Sequence, residues 1–209
     1  MTEDDKKMSA WGSKFAQYLT ASSRGSVPNP DLPFNPCEGF YSVTESKVGA
    51  YTLVFSSKVD AVSQESPDGT DGPSVERYVE FKTTTHASLE KRNFKRFKLL
   101  KWWAQSVLIG VSEIVCGLRD DNGIVSVLRT FPTENIPIIA ANPPPDPWMT
   151  NVCWNFLDHL LGFIKSNVTE DDKGVVHVQE FSDGRVTCKR QTEDEYKFLP
   201  SWYTDNEPR

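Results

Sequence analysis

With 209 residues, 38% of them hydrophobic and 25% charged, the chain can build one domain with a real core, and its make-up excludes a fibrous protein. A net charge of −6 excludes a protein that coats nucleic acid by bulk electrostatics, leaving that work to any local basic segment. Four cysteines without a C-x-x-C pair and three histidines without ligand spacing predict reduced thiols and no structural zinc.

The opening MTEDDKKMSAWG is acidic and polar, unlike a secretory leader, and no apolar stretch reaches the length of a membrane span, so a nuclear or cytosolic protein is expected. Lys14 to Leu19 reads as the end of a short helix, followed by a Ser/Gly/Pro-rich loop to Pro36. Gly39 to Thr44 and Tyr51 to Val62 are rich in β-branched and aromatic residues and predict strands. Ser63 to Ser74 reads as a surface connection, and Arg77 to Thr85 as a third strand, antiparallel to the second if the connection is a hairpin loop. The period then changes to that of a helix from Phe94 to about Ile109, ended by Gly110. Within it, KRNFKRFKLLK from Lys91 to Lys101 holds six basic residues and no acidic one; by itself this is an ordinary solvated helix face or a nucleic-acid contact. Asp120-Asp121-Asn122-Gly123 marks a hairpin between Glu113–Leu118 and Ile124–Phe131. After a proline cluster at 143–147, an amphipathic helix is expected over about Asn151–Ser166, then a second hairpin with Ser182-Asp183-Gly184 at its turn. The fold class is therefore α+β, a mostly antiparallel or mixed sheet flanked by helices, in a single domain over 1–209.

One constellation carries chemistry. Asp60 stands near the end of one predicted strand and Glu80-Phe81-Lys82 on the next, and strand alternation points Glu80 and Lys82 the same way. If the strands pair, two carboxylates and an ammonium surround one spot, with the Phe81 carbonyl as a further oxygen. Phosphodiester hydrolysis needs such a set: hard oxygens hold a divalent cation that polarises the phosphate and acidifies a water, while a lysine steadies the developing charge. The pattern alone is common on exposed strands. The following helix adds Gln105, and the strand, strand, helix order resembles the PD-(D/E)-x-K nuclease core. Trp102 and Trp103 read as core packing rather than platforms for bases.

YVEFKT at Tyr78–Thr83 and KLLKWWAQS at Lys98–Ser106 resemble two motifs of the DXO-type decapping exoribonuclease family. KFAQY at Lys14–Tyr18, VFSSKVD at Val54–Asp60, GLRDDNGIVSVLRTFPT at Gly117–Thr133 and FLPSWY at Phe198–Tyr203 are similar to family segments in the same order, so the resemblance covers nearly the whole chain. It implies removal of incomplete or NAD caps from RNA, and degradation of RNA from its 5′ end, with magnesium or manganese. By position it makes Asp60, Glu80 and the Phe81 carbonyl metal ligands, sets Lys82 and Gln105 at the scissile phosphate, and puts Tyr41 where the family has a small residue near the cap-binding pocket.

The resemblance also marks departures. The family has glutamates where this chain has Ala16 and Lys58, and an N-terminal region that this sequence lacks. An intact pattern of four carboxylates and one lysine carries −3; here Asp60 and Glu80 against Lys58 and Lys82 sum to zero. An ammonium about 4 Å from a carboxylate gains roughly 4 kcal/mol at an effective dielectric near 20, before desolvation, so Lys58 can stand in the cation's place. Impaired catalysis and a non-catalytic RNA- or protein-binding module, the latter using a partner chain along an uncovered sheet edge, are both consistent with these residues.

Overall fold

A computed structural model describes residues 2–35, 38–63, 77–141 and 147–204. It divides into two compact units, one of Met1–Lys47 and Thr52–Thr150, the other of Val48–Tyr51 and Asn151–Arg209. Most of the connection expected over 63–74 and of the proline cluster lies outside the described residues.

The first unit opens with helix α1 (Glu3–Leu19), longer than the turn expected at its end. Its start is made by a capping box: the Asp5 N–H donates to the Thr2 hydroxyl at 3.2 Å, and the Thr2 N–H donates to the Asp5 carboxylate at 2.8 Å. Glu3, Asp4 and Asp5 also complement the positive end of the helix dipole. Strands β1 (Phe40–Val48) and β2 (Tyr51–Val59) pair as a two-stranded sheet.

The single strand expected over Tyr51–Val62 is broken. β2 ends at Val59, Asp60 lies in no strand, and β3 (Ala61–Val62) joins a different sheet. The cause is a change of partner, from β1 to β4 (Tyr78–Thr85), with Ala61 opposite Val79 and Val62 opposite Tyr78 in the expected antiparallel sense. At the break a side chain substitutes for the ladder: the Phe81 N–H donates to Asp60 Oδ2 at 3.0 Å.

After β4 comes a short helix, α2 (His86–Leu89). The helical run read from Phe94 is of two kinds, a π-helical turn over Phe94–Lys98 and then α3 (Leu99–Ile109). The Leu99 N–H reaches back five residues to the Phe94 carbonyl, which admits one extra residue into the turn. Gly110 ends α3 in the left-handed conformation, φ 81°, as its position predicts.

The chain then returns as β5 (Glu113–Arg119) and β6 (Val125–Pro132), the predicted hairpin. β5 lies parallel to β4, giving the order β3-β4-β5-β6, so the passage through α3 is a β-α-β crossover. Helix α4 (Ile136–Ala140) completes the core, in which Leu99, Ile114, Cys116 and Ile136 are 0% exposed and Phe131 is 1% exposed. Trp102 joins Phe94 and Phe131 edge to face at 5.2 and 5.9 Å, and Trp103 meets Trp148 at 5.2 Å, so both tryptophans are core residues. On the opposite sheet face, α1 lays Phe15 over Phe81, with ring centroids 5.8 Å apart.

The second unit holds α5 (Thr150–Asn167), the hairpin of β7 (Val176–Ser182) and β8 (Arg185–Gln191), and α6 (Ser201–Thr204). Ser182 pairs with Arg185 across a two-residue turn in which Asp183 (φ 51°) and Gly184 (φ 74°) are both left-handed, the geometry that Asp-Gly favours. Among the described residues no helix is long and apolar enough to cross a membrane. The mixed α+β class expected from the sequence is the one observed.

Two substitutions test the packing of the first unit. A Cβ at Gly117 would stand 2.6 Å from the Phe15 ring, so Gly117→Ala is expected to cost about 1–3 kcal/mol. Phe131→Ala empties a fully buried site and is expected to cost about 3–5 kcal/mol. Urea denaturation measures both; a loss below 0.5 kcal/mol at either position, allowing roughly for surface-type effects, would contradict the packing described.

Candidate active site

The break at Asp60 positions the site. Because its carboxylate accepts the Phe81 N–H, Asp60 is tied to the middle of β4, between Glu80 and Lys82. Those two side chains share a face, and Lys82 Nζ donates to Glu80 Oε1 at 2.5 Å. The pair is mostly buried, with side chains 22% and 16% exposed. Gln105 approaches from α3, its Oε1 3.5 Å from Lys82 Nζ, at the outer limit of a hydrogen bond. The expected grouping of Asp60, Glu80, Lys82 and Gln105 is thus present, with Phe81 between the two carboxylate positions.

Burial is the largest influence on Glu80 and pushes its carboxyl above the ordinary value. The Lys82 ammonium opposes that by charge and by its hydrogen bond, the Asp60 charge adds to the rise, and Lys58 lowers it. Asp60 and Lys58 are therefore both electrically felt at Glu80.

A cleft of 340 Å³ is lined by Lys58, Asp60, Phe81, Lys82 and Thr83 from the strands and by Met8, Ser9, Gly12, Ser13 and Ala16 from α1, with Phe34. Both positions where the family resemblance expects glutamate, Ala16 and Lys58, face this cleft. Lys58 is two residues from Asp60, across the end of β2, and both line the same space. Its stem runs close over Gly39, where a Cβ would meet Lys58 Cε at 3.0 Å and the Tyr41 ring at 3.4 Å. Tyr41 is thus beside the Lys58 stem, 60% exposed in β1, and not among the residues lining the cleft.

The α1 wall of the cleft has little sequence signal. Its residues carry no charge, and the one pattern that marks them is the run of small side chains Ser9, Gly12, Ser13 and Ala16 at helical spacing. Chemically, the cleft offers the Asp60 carboxylate and the Lys58 and Lys82 side chains, while Glu80, bonded to Lys82, and Gln105 beside it lie outside the lining. Among the described residues no three His, Cys, Asp or Glu side chains are gathered to hold an ion.

Comparison with known proteins gives this geometry a lineage. A family described as RAI1 like PD-(D/E)XK nuclease matches residues 1–204. The decapping and exoribonuclease protein of Homo sapiens is 41% identical over 197 residues, 93% of this chain and 49% of the human protein. S. pombe Rai1, solved in complex with 3′-FADP, is 31% identical with a TM-score of 0.64 over 77% of this chain and 49% of that one. Candida albicans Rai1, solved with pU5-Mn2+, shares the fold at a TM-score of 0.74 over 94% of this chain and 55% of its own, at 24% identity. This chain spans about half the length of the curated relatives it matches. A match over nearly all its residues, joined to the strand-borne E-F-K beside Asp60, means that the chain belongs to the RAI1-like PD-(D/E)XK nuclease family.

Proposed function

We propose that this chain acts at RNA 5′ ends, removing NAD-type or incomplete caps and hydrolysing RNA from that end with a divalent metal, at a strength reduced by Ala16 and Lys58. The observation that carries this reading is the tie from Asp60 to the Phe81 N–H, which brings a second carboxylate beside the E-F-K strand. The names of the relatives, a decapping and exoribonuclease protein and a nucleotide-bound Rai1, point to the same chemistry. Its place of action is then where RNA is made or turned over, the nucleus or the cytoplasm.

The donors fit a hard cation in kind. Asp60 and Glu80 would hold magnesium or manganese with the Phe81 carbonyl, the remaining positions being water, as magnesium often tolerates. When bound, such a cation polarises the phosphate and lowers the pKa of a water. Lys82, held by Glu80, presents an ammonium to the scissile phosphate, and Gln105 orients Lys82 and the attacking water. Tyr41, beside the Lys58 stem, stands where the family has a small residue near its cap-binding pocket. A second reading, an RNA-binding module without turnover, is favoured by one observation: Lys58 lines the cleft beside Asp60 and adds a second ammonium to that of Lys82.

Hydrolysis separates the two readings. Wild-type protein with NAD-capped or 5′-monophosphate RNA and magnesium or manganese is expected to give product, and Asp60→Ala none; equal product from both would sink the catalytic reading. Ala16→Glu with Lys58→Glu restores three negative charges and is expected to tighten manganese binding by more than about tenfold in calorimetry. No gain there would deny these two positions a part in the metal site.

The raised Glu80 carboxyl sets a third expectation. The folded chain holds that proton more tightly than the unfolded chain, so its contribution to stability is present below the ordinary carboxyl value and is lost as pH rises through the raised one. Urea midpoints followed from acid to neutral pH should show this fall in the wild type and lose it in Glu80→Gln. In Lys82→Met the fall should move to higher pH, because the main opposing influence is gone; an unmoved profile would contradict the Lys82–Glu80 pairing.

A further inference from the structure

The basic segment that precedes α3 is not used by the chemistry above, and its surroundings give it a direction. Lys82, Cys116 and Arg129 are register neighbours across β4, β5 and β6. Two strand spacings, roughly 10 Å, therefore separate Lys82 from Arg129. Lys98, at the end of the π-helical turn, and Lys101 and Gln105 of α3 fall three, four and seven apart, on one flank of the stripe formed by buried Leu99, Trp102, Trp103 and Ser106. Seven residues of helical rise, about 10 Å, separate Gln105 from Lys98.

Single contacts link the two lines. At one end Gln105 meets Lys82 at 3.5 Å. At the other, the charges of Arg129 and Lys98 are both felt at Cys116. Arg129 lies over the Phe131 ring at 5.0 Å, and that ring touches Trp102, one turn beyond Lys98. Lys98 and Arg129 are exposed, and among the described residues neither is paired with a carboxylate. Phe97, 59% exposed on the same turn as Lys98, carries the Arg96 guanidinium at 5.4 Å.

We propose that Lys98 and Arg129 form a phosphate track for single-stranded RNA, continuing across β5 and β6 from the place where Lys82 and Gln105 meet the first phosphate, with Phe97 as a stacking surface for a base. The proposal rests on the reading of Lys82 and Gln105 as phosphate-facing groups. Its physical basis is charge complementarity: in a chain of net charge −6, Lys98 and Arg129 are exposed cations that, among the described residues, have no carboxylate partner. An aromatic ring beside that line suits a strand with unstacked bases, whereas an acidic peptide has no such need.

The test is RNA binding under chelator, so that turnover plays no part. Fluorescein-labelled 5′-monophosphate U10 is titrated at several salt concentrations against wild type, Lys98→Gln/Arg129→Gln, and a control, Lys165→Gln/Arg185→Gln, that removes equal charge from the second unit. The track predicts that the slope of log affinity against log salt falls by about one per lost contact, about two for the first pair. The control should leave it unchanged, and thermal melts should match wild type. Equal slopes in all three proteins, no binding by wild type at low salt, or displacement of U10 by polyglutamate as readily as by polyuridylate would each overturn the track. Loss of hydrolysis in Asp60→Ala with unchanged salt slopes in the track variant would keep the metal site and remove the track. Altered slopes without any hydrolysis by wild type would keep the track and remove the catalytic reading.

Discussion

Phe81 is held from two directions, and the site follows from that double hold. Its ring packs edge to face on Phe15, which fixes α1 against the sheet and sets Ala16 into the cleft. Its N–H is taken by Asp60, which fixes the point where the chain leaves one sheet for another and sets Lys58 two residues away. Glu80 and Lys82 flank it on β4 and project to the other face, toward Gln105. Local geometry at one residue thus gathers groups from two helices and two strands. The partner change at Asp60 would otherwise leave the Phe81 N–H without its ladder bond; a carboxylate acceptor resolves that and gains a charge-assisted hydrogen bond.

Electrostatics then decide what the cleft can hold. Glu80 is desolvated, and a desolvated carboxylate keeps its charge only with a cation close by. Lys82 serves that purpose in this structure, and Lys58 adds a second ammonium within electrical reach. Asp60 and Glu80 are matched in formal charge by Lys58 and Lys82, so an arriving divalent ion meets no net negative charge from these four groups. The same balance makes the cleft more hospitable to a phosphate than a pocket of uncompensated carboxylates.

Much of this was legible in the sequence where the cause is local. Strand alternation gave the shared face of Glu80 and Lys82, the Asp-Gly and Asn-Gly dipeptides gave both hairpins, and the apolar period gave α5 nearly to its ends. What was not legible is non-local or hidden by continuity. Tyr51 to Val62 is an unbroken β-forming run, and nothing in its composition reports that the chain changes partner at Asp60. The parallel pairing of β4 with β5 joins residues more than thirty positions apart, as in Val79 with Glu113. The π-helical turn keeps the apolar spacing at both ends and so passes for ordinary helix. The first half of α1 has polar residues on every side, and its start is marked by the Thr2–Asp5 capping box rather than by an apolar stripe.

Cys116 lies beneath the line from Lys82 to Arg129, wholly buried, and burial pushes its thiol up to about 12 despite the cations nearby. A sulfur kept protonated in this way is a poor nucleophile and a slow target for oxidants. Alkylating reagents can reach it only when the packing over β5 opens, so the pace of its labelling reports how often this part of the core breathes open. The fold thereby carries its own chemical clock at the one place where loosening would disturb both the acidic cleft and the basic flank.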